Sequence, residues 1–191
     1  MSDGPRTLCL LRHAKSSWDD PGAADFDRPL AARGRAAAPR MGAWLAARGL
    51  VPDAVICSSA LRTRQTWDLV APALGGRPSV TRTGEIYEAP ACRLLAAIRG
   101  APPEARGVLL VGHNPGIQEA AERLAGAGSD PAALARLRRK FPTGAVAVFA
   151  LDDADWPALG PGGARLVAFV RPKDLAAGDD NGQSQNRAAS T

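Results

Sequence analysis

The chain has 191 residues, of which 46% are hydrophobic and 23% charged, a composition typical of one soluble globular domain with a substantial core. Its net charge of +5 and pI of about 9.7 are compatible with acidic or phosphate-bearing partners. Because the basic residues form no long patch, and because only four Trp, one Tyr and four Phe are available to stack on bases, we expect no nucleic-acid partner.

Strand and helix signals alternate along the chain. Short apolar runs that end in turn residues predict strands at about 7–11, 54–57, 79–81, 108–111, 145–151 and 165–170. Helices are predicted at about 31–48, 58–73, 92–99, 115–126 and 131–140. This alternation predicts an α/β fold, a three-layer α/β/α sandwich with a single, mostly parallel sheet.

Polar residues near two helix starts have the character of caps. Ser58 or Ser59 can cap the second predicted helix through its hydroxyl group. Asn114 is suited to cap the fourth, and Pro115 suits the first helical position, where no backbone N–H is needed. We therefore expect both helices to begin directly after these residues.

The C-terminal third contains two polar segments. The densest basic run, Arg136 to Lys140, ends the fifth predicted helix, where cations suit the helix dipole, and we interpret it as a solvated surface. Residues 172–191 are polar and poor in apolar residues, so we expect a disordered tail after a folded domain that covers residues 1–171.

The cysteines and the apolar runs bear on where the chain resides. Cys9, Cys57 and Cys92 are odd in number and have no CxxC spacing, so we expect free thiols in a reducing cytoplasm. No signal-peptide pattern is present, and no apolar run approaches the ~20 residues that span a bilayer, so we expect no membrane partner. We expect a monomer.

The two histidines occupy equivalent places in the pattern. His13 closes the first predicted strand and His113 the fourth, and each is followed by a turn. The carboxyl ends of strands in α/β proteins border the ligand crevice, where a histidine can be a nucleophile, a base or a metal ligand. Arg12, beside His13, adds a planar fork that suits phosphate. Taken singly, either histidine could instead simply pack at a strand end.

Arg62 lies in the first turn of the second predicted helix. A cation there opposes the helix dipole, which favours Asp or Glu at that end. Such a local violation suggests that an anion approaches Arg62, although a solvated arginine is the alternative. Arg64 is more simply a solvated residue.

Other catalytic patterns are missing. The histidines lack zinc-site spacing, and there is neither a glycine-rich phosphate loop nor a serine-hydrolase elbow. Four aspartates near residue 20 lack the spacing of a calcium loop, and we interpret them as solvating a loop: Asp19, Asp20, Asp25 and Asp27. We predict neither a metal nor another cofactor.

Three motifs in order resemble the histidine phosphatase superfamily. They are Leu11-Arg12-His13-Ala14, Ser58-x-Ala60-x-Arg62-x-x-Gln65-Thr66 and Val111-Gly112-His113-Asn114-Pro115. The segments 11–18 and 140–145 are similar to the short SixA-type phosphohistidine phosphatases of that superfamily. The resemblance extends from about residue 7 to 171 and implies the phosphoglycerate mutase-like fold.

The resemblance implies roles for five residues. His13 would attack phosphorus, and Arg12, Arg62 and His113 would surround the transferred phosphoryl group. Glu88 matches the position at which many members carry an acid for the leaving group, with Glu85 as the rival.

The resemblance also implies a substrate class. It would be phosphohistidine on a protein, with a small phosphate ester or a non-catalytic phosphate-binding role as alternatives. Two departures stand out. Ala14 replaces the usual glycine, which is tolerable if its φ is negative. Asp19 replaces an asparagine of mutase-like members, which argues against a sugar-phosphate mutase.

Overall fold

The computed structural model describes residues 5–152 and 155–176. Six strands form one sheet in the order β3-β2-β4-β1-β5-β6. Their bounds are β1 Arg6–Arg12, β2 Ala54–Ser58, β3 Ser79–Thr83, β4 Gly107–Gly112, β5 Val146–Leu151 and β6 Arg165–Val170. The first four strands pair in parallel, whereas β5 runs antiparallel to both of its neighbours. The predicted α/β fold with a mostly parallel sheet is confirmed, with one reversed strand.

Helices cover both faces of this sheet. They are α1 Ala32–Ala46, α2 Leu61–Leu74, α3 Ala91–Arg99, α4 Gly116–Leu124, α5 Pro131–Arg139 and α6 Pro172–Ala176, with a short 3-10 helix at Asp25–Asp27. Along β1, Leu8 and Leu10 join the core beneath α3, α4 and α5, while Cys9 and Leu11 join the core beneath α1 and α2. Burial on both faces explains why the central strands are apolar without polar alternation.

The strand register places the two histidines side by side. β1 and β4 are adjacent and parallel, with Arg12 opposite Gly112, so His13 and His113 leave neighbouring strands at the same level. Ser58 ends β2, the next strand along, and α2 begins three residues later. Three strand ends therefore deliver His13, His113 and Arg62 to one edge of the sheet.

Both predicted caps are wrong. α2 begins after Ala60, and α4 begins after Pro115, and neither helix has a side-chain cap. The Asn114 amide instead donates to the side chain of Gln118, one helical turn further on. The Ser58 hydroxyl faces His113, as described below. In each case another polar group competes successfully for the side chain.

The predicted disordered tail begins too early. Residues Pro172–Ala176 form α6, so that part of the prediction is wrong, while residues 177–191 lie outside the described part of the chain. Proline suits the first helical position, and the Asp174 carboxylate accepts from the backbone and guanidinium of Arg171. Leu175 packs against the core, which supplies the apolar contact that stabilises the turn.

Two further expectations concern cysteines and membranes. Cys9, Cys57 and Cys92 are all free, as the sequence predicted. Among the described residues, no helix has the length and hydrophobicity needed to cross a membrane.

Candidate active site

His13 follows β1 and is held by its own neighbour. Its ring Nδ1 lies 2.8 Å from the carbonyl oxygen of Ala14. Since a carbonyl can only accept, Nδ1 carries the proton and Nε2 keeps its lone pair. Ala14 is fixed in turn, because its N–H donates to the Thr66 hydroxyl of α2 over 3.0 Å. This chain of bonds sets both the tautomer and the orientation of the His13 ring.

The backbone around Ala14 meets the expectation from the sequence. Among the described residues, Glu88 is the only non-glycine residue with positive φ, so φ of Ala14 is negative and alanine is tolerated there.

Arg12 is anchored to the loop before β5. Its Nη1 donates to the carbonyl of Phe141 over 2.7 Å. The Gly144 N–H donates back to the carbonyls of Arg12 and His13, over 3.1 and 2.9 Å, and Gly144 has the positive φ of 76° that glycine readily adopts. Residues 141–144 therefore hold the end of β1 in place. Within the described part of the chain, Nε of Arg12 is buried and has no hydrogen-bond partner.

His113 lies against His13 and is held from the other side. The ring centroids of the two histidines are 5.2 Å apart, and Nε2 of His113 lies 2.9 Å from the Ser58 hydroxyl. Ser58 is fully buried. The second ring nitrogen of His113, Nδ1, is buried and has no hydrogen-bond partner among the described residues. Burying an unpaired polar atom costs free energy, and a bound ligand with oxygen acceptors or donors is one compensation.

Arg62 already has an anion beside it. Its Nη2 donates to Oδ2 of Asp25 over 2.8 Å, and its Nη1 donates to the Asp25 backbone carbonyl. The same carboxylate accepts from Arg28 over 2.6 Å and from the Tyr87 hydroxyl over 2.7 Å. The interpretation of Asp25 as a residue that merely solvates a loop is therefore wrong. Its carboxylate is the anion that the position of Arg62 predicted, and it belongs to the chain itself.

The loop between β3 and α3 contributes an aromatic wall. The Tyr87 ring meets the His113 ring edge-on, with centroids 5.3 Å apart. The loop approaches α4 so closely that a Cβ on Gly116 would lie 2.0 Å from the Ala89 carbonyl oxygen. Only glycine permits that approach, which positions Tyr87 and the following Glu88 near the site.

Glu88 itself stays at the rim. It is exposed, its backbone φ is 46°, and no hydrogen bond or ion pair among the described residues joins it to either histidine or to Arg12 or Arg62. Glu85 is exposed as well. The structure thus brings together four of the five predicted site residues and places Glu88 beside them through Tyr87.

Burial and positive charge keep both histidines neutral. Burial is the largest cause that lowers the pKa of His13 to about 3, opposed by its bond to the Ala14 carbonyl and reinforced by His113, Arg62 and Arg12. Burial also lowers the pKa of His113 to about 3, with help from Arg62 and Arg12. Both rings are therefore uncharged at neutral pH. We call Arg12, His13, Arg62 and His113 the His–Arg cluster.

Asp25 is ionised in this arrangement. Its partial burial works to raise the pKa, but the hydrogen bond from Tyr87, the charge of Arg62 and the bonds from Arg62 and Arg28 hold the pKa at about 2. A carboxylate without a proton cannot act as an acid.

Sequence reasoning missed three contributors. Asp25 and Tyr87 have no motif of their own, and Ser58 was assigned to a helix end rather than to His113. Within the described residues, no group of three or more His, Cys, Asp or Glu side chains is placed to hold a metal ion.

Comparison with known proteins identifies the family. The model of the histidine phosphatase superfamily (branch 1) matches residues 8–89. The candidate phosphohistidine phosphatase SixA of Nakamurella multipartitia is 35% identical with a TM-score of 0.75, over 88% of this chain and 97% of that one. The chain belongs to the histidine phosphatase superfamily.

Other relatives extend over the same part of this histidine phosphatase. The candidate SixA of Agrobacterium tumefaciens is 33% identical with a TM-score of 0.71, over 88% of this chain and 99% of that one. An uncharacterised protein of Mycobacterium tuberculosis (strain H37Rv) is 39% identical over 165 residues, which are 85% of this chain and 100% of that protein. The SixA-type resemblance recognised in the sequence is confirmed.

Proposed function

We propose that the chain is a metal-independent phosphatase that works through a phosphohistidine intermediate on His13. The observation that carries this proposal is the bond from Nδ1 of His13 to the Ala14 carbonyl, which leaves Nε2 with a free lone pair on a ring that burial keeps neutral. A neutral, oriented imidazole at a strand end is what a nitrogen nucleophile requires.

In the first step, Nε2 of His13 attacks phosphorus. A bond forms between Nε2 and phosphorus as the bond from phosphorus to the leaving group breaks, and the leaving group takes up one proton. Arg12 and Arg62 offset the negative charge that spreads over the phosphoryl oxygens. His113 supplies a further polar contact through Nδ1, which is buried and unpaired in this structure.

In the second step, water attacks the phosphoryl group. The bond between Nε2 and phosphorus breaks, inorganic phosphate leaves, and His13 returns to its neutral form. Over the two steps one water is consumed, and the substrate has exchanged its phosphoryl group for a proton. Arg12 and Arg62 stabilise the second transition state in the same way as the first.

Glu88 is the acid that we assign to the leaving group. It follows Tyr87 at the rim of the cluster, where it is exposed and, among the described residues, makes no ion pair with an arginine. Asp25 is unsuited, because its bonds to Arg62, Arg28 and Tyr87 keep it ionised. When the leaving group is an imidazole of phosphohistidine, less help from an acid is needed.

We infer that the substrate is phosphohistidine on a protein. Support comes from the two candidate phosphohistidine phosphatases that are 33–35% identical over nearly all of their length. A small phosphate ester is the alternative substrate.

Brief mixing with a phosphodonor such as phosphoramidate tests the mechanism. Acid-labile, alkali-stable phosphate should accumulate on His13, and His13→Asn should abolish both the label and turnover. His113→Asn is the matched control, since it removes the neighbouring ring and should slow labelling without abolishing it. Turnover that survives His13→Asn would contradict the mechanism, and tight phosphate binding without turnover of any phosphorylated substrate would favour a non-catalytic module.

The substrate class is tested separately by comparing kcat/KM on a phosphohistidine-bearing protein with kcat/KM on an aryl phosphate. A higher value on the protein supports the inference. A higher value on the aryl phosphate would favour a small ester.

A further inference from the structure

A basic groove lies beside the His–Arg cluster. It has a volume of about 690 Å³ and is bordered by α1, by the end of α5 with residues 140–143, and by the start of α6. Three lysines and five arginines line it, and none of its described lining residues is acidic. We call it the cationic groove. Its apolar lining residues include Ala36, Ala37 and Pro172.

The distribution of lysine singles out this groove. The whole chain contains 24 lysines and arginines, yet only three of these are lysine. They are Lys15, Lys140 and Lys173, which are far apart in sequence, and all three line the groove. The folded chain thus concentrates its lysine amines at one place.

Most of these charged side chains have no partner among the residues that the structure describes. Among the described residues, no hydrogen bond or ion pair is made by the side chains of Arg33, Arg139 or the three lysines. One nearby carboxylate, Asp174, pairs with Arg171 over 2.7 Å and lies 4.0 Å from Arg136. Like charges that converge without compensation repel one another and create a strong local positive potential.

The groove shares its wall with the cluster. Lys15 lies two residues after His13, and its carbonyl accepts from the Ala31 N–H at the start of α1. Pro142 and Thr143 lie between Phe141, which holds Arg12, and Gly144, which bonds the carbonyls of Arg12 and His13. A macromolecule that presents a phosphoryl group to His13 therefore has this groove directly beside it.

Nucleic acid is a poorer match to the lining. None of the described residues that line the groove is aromatic, so they offer bases no stacking surface. A lining that combines small apolar residues with many cations suits an acidic peptide segment, whose backbone and short side chains can pack on Ala36 and Ala37 while its carboxylates meet the cations.

We propose that the cationic groove docks an acidic segment of the phosphoprotein substrate and so sets substrate preference. The proposal rests on the proposed function, because it assumes that the phosphoryl group is carried by a protein. Its prediction is that acidic residues near the phosphohistidine speed the reaction through the groove and not through the His–Arg cluster.

A binding experiment tests the surface without relying on catalysis. The probe is a fluorescent polyglutamate peptide, measured by anisotropy with the full chain. The groove variant combines Arg33→Gln, Arg139→Gln and Lys173→Gln, one substitution from each bordering helix. The control variant combines Arg48→Gln, Arg77→Gln and Arg93→Gln, three exposed arginines outside the groove. We expect the groove variant to bind about 10- to 100-fold more weakly and the control to bind as the wild type does.

A kinetic experiment connects the surface to the reaction. Two synthetic phosphohistidine peptides are compared, one flanked by Glu and one by Gln, with aryl phosphate as a third substrate. The wild type and the control variant should prefer the Glu-flanked peptide by about tenfold in kcat/KM. The groove variant should lose that preference and keep its rate on aryl phosphate, which also shows that it is folded.

The possible results distinguish between different occupants of the groove. Equal peptide binding by the groove and control variants would overturn the proposal, as would a Glu preference that persists in the groove variant. Tighter binding of single-stranded oligothymidylate of equal charge would assign the groove to nucleic acid instead. Stronger peptide binding after Asp179→Asn with Asp180→Asn would assign it to the chain's own C-terminal segment. Absence of a phosphoenzyme would refute the proposed mechanism, while the binding result would still stand.

Discussion

The His–Arg cluster and the cationic groove are adjacent and both positively charged, but their charged side chains are held in opposite ways. In the cluster, Arg12 is bonded to a carbonyl and Arg62 to Asp25, and Arg62 is only 4% exposed. In the groove, Arg33, Arg139 and Lys140 are exposed and have no partner among the described residues. Charges held by the protein act at fixed positions and short range, whereas free charges stay hydrated and act through their summed field.

The largest expected difference between the regions is in catalysis. Arg62→Gln should lower kcat/KM on aryl phosphate by about 10²- to 10³-fold, because it removes a fixed charge beside the phosphoryl group. Arg33→Gln is the same substitution in the groove and should leave that value unchanged. Steady-state assays of both variants check this. Similar losses in the two variants would show that the fixed charges of the cluster and the free charges of the groove contribute alike to catalysis.

Protonation should also separate the regions. The pKa values of His13 and His113 are about 3 in the folded chain, against about 6.5 when unfolded, so the unfolded state binds more protons between these values. Stability should therefore fall as pH decreases, by about 1–2 kcal/mol per histidine between pH 7 and pH 5. The groove contains no histidine and should contribute nothing in this range.

Urea unfolding at several pH values measures this effect. The groove variant should show the same pH dependence as the wild type, and His113→Asn should show a smaller one. Asp25 does not interfere, because its pKa of about 2 means that its contribution is lost only at lower pH. Stability that is flat or rises from pH 7 to pH 5 would refute neutral, buried histidines.

A smaller effect is expected at Asp25. Its carboxylate competes with a phosphoryl group for Arg62, so Asp25→Asn should strengthen inhibition by inorganic phosphate by about 3- to 10-fold. Asp27→Asn removes the same charge from the same short helix, away from Arg62, and should change the inhibition constant little. Weaker inhibition in Asp25→Asn would mean that the carboxylate mainly holds Arg62 in place.

The smallest expected effect concerns salt. Between about 50 and about 300 mM NaCl, kcat/KM on aryl phosphate should change by about twofold or less, since Arg62 is buried and Arg12 is half-buried. Polyglutamate binding should fall about tenfold over the same range, because exposed charges are screened. Parallel salt dependences would show that both regions act through a common long-range field.

Local patterns predicted the sheet and the four cluster residues because both depend on sequence signals. Apolar runs ending in His13 and His113 predict strand ends, and parallel strands bring their ends together. Arg62, a cation in the first turn of a helix, predicted a nearby anion. The sequence could not identify this anion, because Asp25 is brought to Arg62 only by the fold of a polar loop. The role of Ser58 was missed for the same reason. Only the three-dimensional structure shows that its hydroxyl contacts His113 and not the end of a helix.

The cationic groove shows the same limit more strongly. The basic end of α5 is a solvated helix end by local rules, and nothing in that run predicts Lys15 or Lys173 opposite it. Three segments that are not adjacent in sequence form the groove, so its charge density follows from packing of α1, α5 and α6 rather than from any local motif.

The gathering of all three lysines has a practical consequence for the chemistry of this chain. Amine-reactive labels, cross-linkers and sensor surfaces would attach at the rim of one groove, apart from the N-terminal amine, and would leave the arginine-rich remainder untouched. Enzymatic acetylation would act at the same rim, neutralising up to three charges there. Amine-reactive reagents should thus modify one side of the molecule selectively. A bound acidic peptide should block that modification.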